Sequence, residues 1–294
     1  MPGSNLLREI CREALRAEPS AVQLLGGTLN EVARVEVQGH RYFVKWNDSA
    51  PVHFFEAEAH GLERLRETHT LRVPEVIANA EATANWPAYL ILEWIDGSPR
   101  GGSEDFTRRF GQGLADLHRC SASTFGLDTD NFIGALPQSN KQTRHWADFY
   151  RDQRIFPQME LARQNGHLPA AREGLLNRLI ERLDELIGSD DITPSLLHGD
   201  LWNGNFLVRS DGQPVVVDPA VYYGEREVEI AFTELFGGFP PGFLEGYGEA
   251  YSLGIAYSER RALYQLYPML VHLNLFGEAY GRQVDAICKR YIGG

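Results

Sequence analysis

Cysteine is scarce in this chain. Cys11, Cys120 and Cys288 are the only three, far apart and in no CxxC-type pair. That excludes a disulfide framework or a zinc ribbon and fits a reducing compartment. No apolar run approaches the roughly 20 residues needed to cross a bilayer; the most apolar window is residues 88–94. Arg8, Glu9, Arg12 and Glu13 interrupt the segment where a secretory leader would need an apolar core. Cations are also in deficit: 28 basic against 40 acidic side chains give a formal net charge of −12. Such a surface repels nucleic acid and anionic membranes, so neither is expected as a partner. Walker-type GxxxxGK(S/T) and the kinase GxGxxG are both missing. A cytoplasmic protein is expected, in which any phosphate site must bring its own cation or metal.

What is present is ordinary globular material. With 294 residues, 43% of them hydrophobic, the chain suits one large domain or two lobes sharing a cleft. Residues 22–25, 32–37 and 41–46 read as strands, with Gln38-Gly39 as a tight hairpin. A helix follows over 51–67, where Phe55, Ala59, Leu62 and Leu65 recur at helical steps, and strands are expected at 73–77 and 89–93. The turn-rich segment 96–102 reads as a lobe boundary, dividing the chain into 1–95 and 96–294. Beyond it helices dominate: 106–118, one amphipathic helix over 175–187 closed by Gly188, 259–275 and 278–291. A short hairpin, 206–208 and 215–217, interrupts them. The fold class is α+β: a small five-stranded antiparallel lobe with one main helix over a larger, mainly helical lobe.

The most informative stretch is His198-Gly199-Asp200-Leu201-Trp202-Asn203-Gly204-Asn205, followed by Val215-Val216-Val217-Asp218. An aspartate, an asparagine five residues on, and an aspartate closing a short strand is the layout of phosphoryl-transfer sites. Asp200 would orient the attacking hydroxyl as catalytic base, while Asn205 and Asp218 would hold Mg2+ through oxygen. The hairpin between them brings both ends to one cleft. The same residues also read as plain turn and cap positions. A cation for the phosphates of ATP is expected from the first lobe. Lys45 lies on the third strand, sharing a face with Phe43, and Glu58 is the candidate partner on the following helix. Gly26 and Gly27 open a turn that could cover the phosphates. The backbone around Glu93, Trp94 and Ile95 stands where an adenine edge would bond. Trp202, Tyr222 and Tyr223 are candidates for acceptor contact, with core packing as the alternative. Trp146, Phe149 and Tyr150 could wall the same cleft, and His118 and His272 read as structural, bonding to backbone.

These residues resemble the fructosamine kinase (ketosamine-3-kinase) family, in the aminoglycoside phosphotransferase-like branch of the protein-kinase fold. The resemblance extends from the His198–Asn205 loop to Asp218-Pro219-Ala220-Val221-Tyr222-Tyr223-Gly224-Glu225-Arg226-Glu227, Asp130-Asn131-Phe132-Ile133-Gly134 and His272-Leu273-Asn274-Leu275-Phe276-Gly277. It implies ATP- and Mg2+-dependent phosphorylation of a ketosamine at its C3 hydroxyl. A phosphate there, beside the C2 carbonyl, is a good leaving group, so the adduct falls apart and the amine is freed. Two departures stand out. Glu229 occupies the place of a family aspartate that braces the catalytic loop, and Thr28 that of a redox-sensitive cysteine in some relatives. Competing readings are a kinase of another small alcohol, such as an aminoglycoside or choline, a non-catalytic nucleotide-binding scaffold, and a metal-dependent hydrolase using His198, Asp200 and Asp218. The oligomeric state is open, with a monomer favoured.

Overall fold

The computed structural model describes residues 2–27, 29–84, 86–98, 103–188 and 191–292; Thr28 and residues 99–102 of the expected boundary lie outside them. A helix, α1 (Pro2–Ala14), precedes five antiparallel strands: β1 (Ala21–Leu24), β2 (Glu31–Val37), β3 (His40–Asn47), β4 (Val76–Ala80) and β5 (Ala88–Glu93). Their spatial order is β1-β2-β3-β5-β4, and α2 (Phe54–Glu67) connects β3 to β4. Gln38 and Gly39 both take positive φ, 52° and 81°, which matches the hairpin twist and sets Val37 opposite His40.

Alternation along β3 divides its residues between two environments. Val44 and Trp46 pack with Val35, Tyr89 and Ile91 against Leu7, Ile10 and Cys11 of α1. On the opposite face, Phe43 lies against the cluster built from Phe54, Phe55 and Leu62 of α2 with Leu90 and Leu92 of β5. The sequence reading does not anticipate α1, which covers the back of the sheet. β4 begins three residues later than expected. Pro74 cannot donate to a ladder, and Arg72 instead accepts the Val216 N–H at 3.0 Å, tying this stretch to the second half of the chain.

The remainder runs through β6 (Gly97–Ser98), α3 (Glu104–His118), β7 (Asn131–Ile133), β8 (Leu136–Gln138) and α4 (Trp146–Phe149). A π-helical turn, Tyr150–Ile155, leads into α5 (Phe156–Gln164), α6 (Ala170–Ile180) and α7 (Leu183–Ile187). Then come β9 (Ser195–Leu197), β10 (Phe206–Arg209), β11 (Pro214–Val216), β12 (Tyr222–Gly224) and α8 (Arg226–Thr233). The chain closes with α9 (Phe243–Ala250), α10 (Tyr257–Tyr264), α11 (Leu266–Phe276) and α12 (Gly281–Ile292). Two helices expected to be continuous are broken. Between α6 and α7, Arg182 leaves helical geometry and its guanidinium reaches the Tyr291 carbonyl at 2.5 Å, a tertiary contact overriding local pattern. Between α10 and α11, Pro268 collides with a helical carbonyl four residues back, at Tyr264, where α10 ends. Gly188 takes φ 73° and closes α7. The three cysteines are free, and no helix among the described residues is long and apolar enough to cross a membrane.

Candidate active site

β9 and β12 pair antiparallel, with Leu197 opposite Tyr222. The loop bearing Asp200 leaves β9 and the segment bearing Asp218 enters β12, so the pairing places the two aspartates on neighbouring strand ends. The β10–β11 hairpin joins them, with Phe206 opposite Val216. Asn205 sits at its base, and its carbonyl accepts the Val217 N–H at 3.0 Å. Gly199 has φ 84°, and a Cβ there would lie 2.0 Å from the Ala220 carbonyl oxygen. Only glycine lets the two segments approach this closely.

A cleft of about 410 Å³ opens between the sheet and these loops, the size range of small-molecule sites. Lys45, Glu58, Phe43, Gly27, Asp200, Trp202, Asn205 and Asp218 all line it. Lys45, almost fully buried, donates to Glu58 Oε1 at 2.7 Å and to Asp218 Oδ1 at 2.5 Å. Burial works against its charge, but the Asp218 and Glu58 carboxylates outweigh it and hold the ammonium above the usual lysine range. Burial pushes Glu58 up, with Lys45 opposing. Asp218 has φ 57°, a conformation few non-glycine residues adopt, and its carboxylate is half exposed to the cleft. Asn205 Nδ2 donates to the Asp200 carbonyl at 2.8 Å and to Asp200 Oδ2 at 3.0 Å, so among the described residues the amide oxygen is the atom that could hold a cation. Burial, reinforced by the charge of Asp218, raises the Asp200 carboxyl well above the usual carboxylate range.

The loop bearing Asp200 is fixed from behind. Burial lowers the His198 pKa; its Nε2–H donates to the Val217 carbonyl at 2.9 Å, and Nδ1 accepts the Asp200 N–H at 3.3 Å. Glu229, on α8, accepts the Gly199 N–H at 2.6 Å and the His198 N–H at 3.0 Å. His118 Nε2–H donates to the same carboxylate at 3.0 Å, and His118 Nδ1 accepts from Tyr247 Oη at 2.8 Å. Burial opposes ionisation of Glu229, yet its hydrogen bonds and the neighbouring imidazoles hold its pKa below the usual value. Glu229 therefore braces the loop despite its extra methylene. The expectation that His118 bonds to backbone is corrected: its partners are side chains. His272 does bond backbone, with Nδ1 2.8 Å from the Pro268 carbonyl.

The remaining candidates separate. The Trp202 ring is 38% exposed and lies over Gly204, where a Cβ would meet it at 2.4 Å. Tyr222 is buried, stacked on Phe149 with the Arg154 guanidinium 3.9 Å from its ring centre. It reaches only a small cavity of about 30 Å³ on the inner side of Asp200, shared with Tyr150, Tyr264, Tyr267 and His272. Tyr223 points the other way, into the core cluster that holds Phe54, Phe55 and Leu62 of α2, because successive strand residues alternate; it lines neither cavity. Trp146 and Phe149 are core residues. Gly26, Glu93 and Ile95 do not line the cleft, and the Glu93 carboxylate is engaged by Arg72 at 2.5 Å. Asn131, Phe132, Gly134, Phe54 and Ala57 line it without having been singled out as site residues.

A sequence profile of the fructosamine kinase family matches residues 4–293. The chain belongs to the fructosamine kinase family. It is 41% identical over 269 residues to a Synechocystis protein named a probable ketoamine kinase, covering 91% of this chain and 88% of that one. A crystal structure from Thermobifida fusca, whose name marks it as a candidate fructosamine-3-kinase, superposes with a TM-score of 0.88 at 34% identity, covering 97% of this chain and 98% of that one. Aminoglycoside phosphotransferase APH(4)-Ia, at 18% identity, covers 98% of this chain and 99% of that one with a TM-score of 0.65. That likeness shows the fold alone: two-lobed, α+β and protein-kinase-like. As a member of this family the protein is a phosphotransferase with an alcohol acceptor.

Proposed function

We propose that the protein phosphorylates the C3 hydroxyl of ketosamines with ATP, the first step in releasing the glycated amine. Residues 1–95 act as the nucleotide-binding lobe and 96–294 carry the catalytic loop and acceptor site. The observation that carries this reading is Lys45, buried and bridging Glu58 and Asp218 at the cleft that Asp200 and Asn205 also line. The hydrolase alternative gives Lys45 no task.

The donor set suits Mg2+, since the Asn205 amide oxygen and the Asp218 carboxylate are hard oxygen ligands. Bound there, the ion would neutralise charge on the phosphates. Lys45 binds phosphate oxygen while Glu58 fixes its ammonium. Asp200 orients the C3 hydroxyl and takes its proton as the hydroxyl oxygen bonds to the γ-phosphorus and ADP departs. Trp202 offers a ring face to the sugar or to the amine-borne chain. Phosphate placed at C3, beside the C2 carbonyl, then leaves readily and frees the amine.

ADP release with magnesium-ATP, compared across ribulosamine, fructosamine, choline and an aminoglycoside, tests this. Ketosamine-dependent ADP is expected, and Asp200→Asn should abolish it while retaining ATP affinity. Release with choline or the aminoglycoside alone would move the acceptor assignment elsewhere. ATP binding without any acceptor-dependent ADP would favour a scaffold.

A further inference from the structure

The β7–β8 hairpin and Arg154 take no part in the chemistry above, yet they form a buried polar chain that ends on the metal segment. Arg154 is wholly buried, and among the described residues its hydrogen-bond partners are carbonyl and amide oxygens rather than carboxylates. Its Nη1 donates to the Ser139 carbonyl at 2.6 Å and its Nη2 to Asn140 Oδ1 at 2.8 Å. Because a guanidinium can only donate, it fixes which end of the Asn140 amide is oxygen. Asn140 Nδ2 must then face the other way, and it donates to Asn131 Oδ1 at 3.0 Å. Asn131 is turned in the same sense, and its Nδ2 donates to the Val221 carbonyl at 2.8 Å. Gln138 Nε2 donates to Asn131 Oδ1 at 2.8 Å and to the Ala220 carbonyl at 3.2 Å, while Gln138 Oε1 accepts from Tyr267 Oη at 2.6 Å. One cation thus sets the direction of successive amides, which close on two carbonyls just past Asp218.

Asp218 needs such support. Its backbone is in the left-handed region, which costs of order 1–3 kcal/mol and persists only where surroundings over-determine it. Its half-exposed side chain provides little packing of its own. Ala220 is held on its other side as well, its N–H donating to the His198 carbonyl at 2.8 Å.

We propose that Asn131 and Gln138 are positioning residues for the metal-binding aspartate, with Arg154 setting the polarity of the amides that reach it. This rests on the reading of Asp218 as a metal ligand. Outer groups of this kind typically change metal affinity 10–100-fold. In the full-length protein, the Mg2+ concentration giving half of the ADP-induced rise in melting temperature should increase roughly tenfold in Asn131→Asp. That substitution turns an oxygen toward the Val221 carbonyl. Because Asn131 also lines the cleft, Gln138→Met supplies the control: Gln138 lines neither cavity, and its variant should shift the Mg2+ midpoint in the same direction. The acceptor KM of Gln138→Met should stay within about twofold of wild type, since Gln138 lines neither cavity. A lower metal-free melting temperature with an unchanged Mg2+ midpoint in Gln138→Met would overturn the proposal. A wild-type protein whose ADP-induced stabilisation ignores Mg2+ would instead overturn the metal reading of Asp218, and the proposal with it.

Discussion

Glu229→Asp isolates the brace behind the loop proposed to be catalytic. The substitution keeps the charge but withdraws the carboxylate by about 1.5 Å, one carbon–carbon bond. Three donors now reach Glu229, from Gly199 at 2.6 Å, His198 at 3.0 Å and His118 at 3.0 Å. Withdrawn by that much, the carboxylate cannot serve all three unless α8 moves, and α8 is held on its far side by Arg260 on Glu227. The Gly199 and His198 amides arise from one loop, so they are lost or kept together. A buried donor left without a partner costs ~1–3 kcal/mol, so two put the stability loss at roughly 2–6 kcal/mol.

The catalytic effect should be larger than the effect on nucleotide binding. Asp200 follows Gly199 directly, and a misplacement on the order of 1 Å at a reacting group costs about a hundredfold in rate. Lys45, Glu58 and Asp218 do not touch Glu229, so the KM for ATP should hold within twofold or so. Steady-state ADP release and urea unfolding of the same preparations measure both quantities. Loss of stability with an unchanged kcat would refute the reasoning, because the loop would then reach its working geometry without Glu229.

Gly204→Ala should displace the Trp202 ring, which a Cβ would approach to 2.4 Å; acceptor KM should rise roughly fivefold with ATP KM unchanged, as stacking is worth about 1 kcal/mol. Lys45→Met leaves Glu58 buried without its cation, so urea unfolding should show a loss of about 3 kcal/mol. In the same variant, calorimetry should show ATP affinity lower by roughly tenfold to a hundredfold. Glu225 concerns pH. It is buried at the start of α8 beside Glu227, and burial first, then that neighbour, raises its pKa to about 7 from 4.5. The folded protein therefore keeps a proton that the unfolded chain releases, and stability falls as pH rises from 4.5 to 7 and stays lower above it. About 2.5 pKa units correspond to roughly 3 kcal/mol. Glu225→Gln should accordingly melt higher than wild type at pH ~8 and alike near pH ~4.5; parallel melting curves across that range would contradict the assignment.

Much of the fold is written locally. The Gln38-Gly39 hairpin, the amphipathic spacing of Phe55, Ala59, Leu62 and Leu65, and Gly188 at a helix end are short-range signals, and each element forms at its place. Where sequence reading fails, distant contacts decide. Arg182 leaves its helix for Tyr291, and Arg72 pairs with β11 across more than 140 residues. Two failures are local instead: the break that Pro268 imposes between α10 and α11, and α1, whose Leu7, Ile10 and Cys11 carry a helical spacing that a reading for charges alone passes over.

The site divides along the same line. Asp200, Asn205 and Asp218 are legible because one hairpin fixes their separation, and a spacing survives in one dimension. Lys45 and Glu58 are legible because a strand and the helix after it constrain where each can point. Tyr223 shows the limit: next to Tyr222 in sequence, it faces the opposite core because strand parity, not proximity, assigns its side. Glu229 shows another. No local pattern says that a carboxylate on a helix 30 residues downstream will accept the Gly199 N–H. Length at this position decides nothing by itself, since a longer side chain braces the loop wherever α8 stands correspondingly further back. The quantity that must hold is the distance from carboxylate to amide, and that is a property of the packed helix.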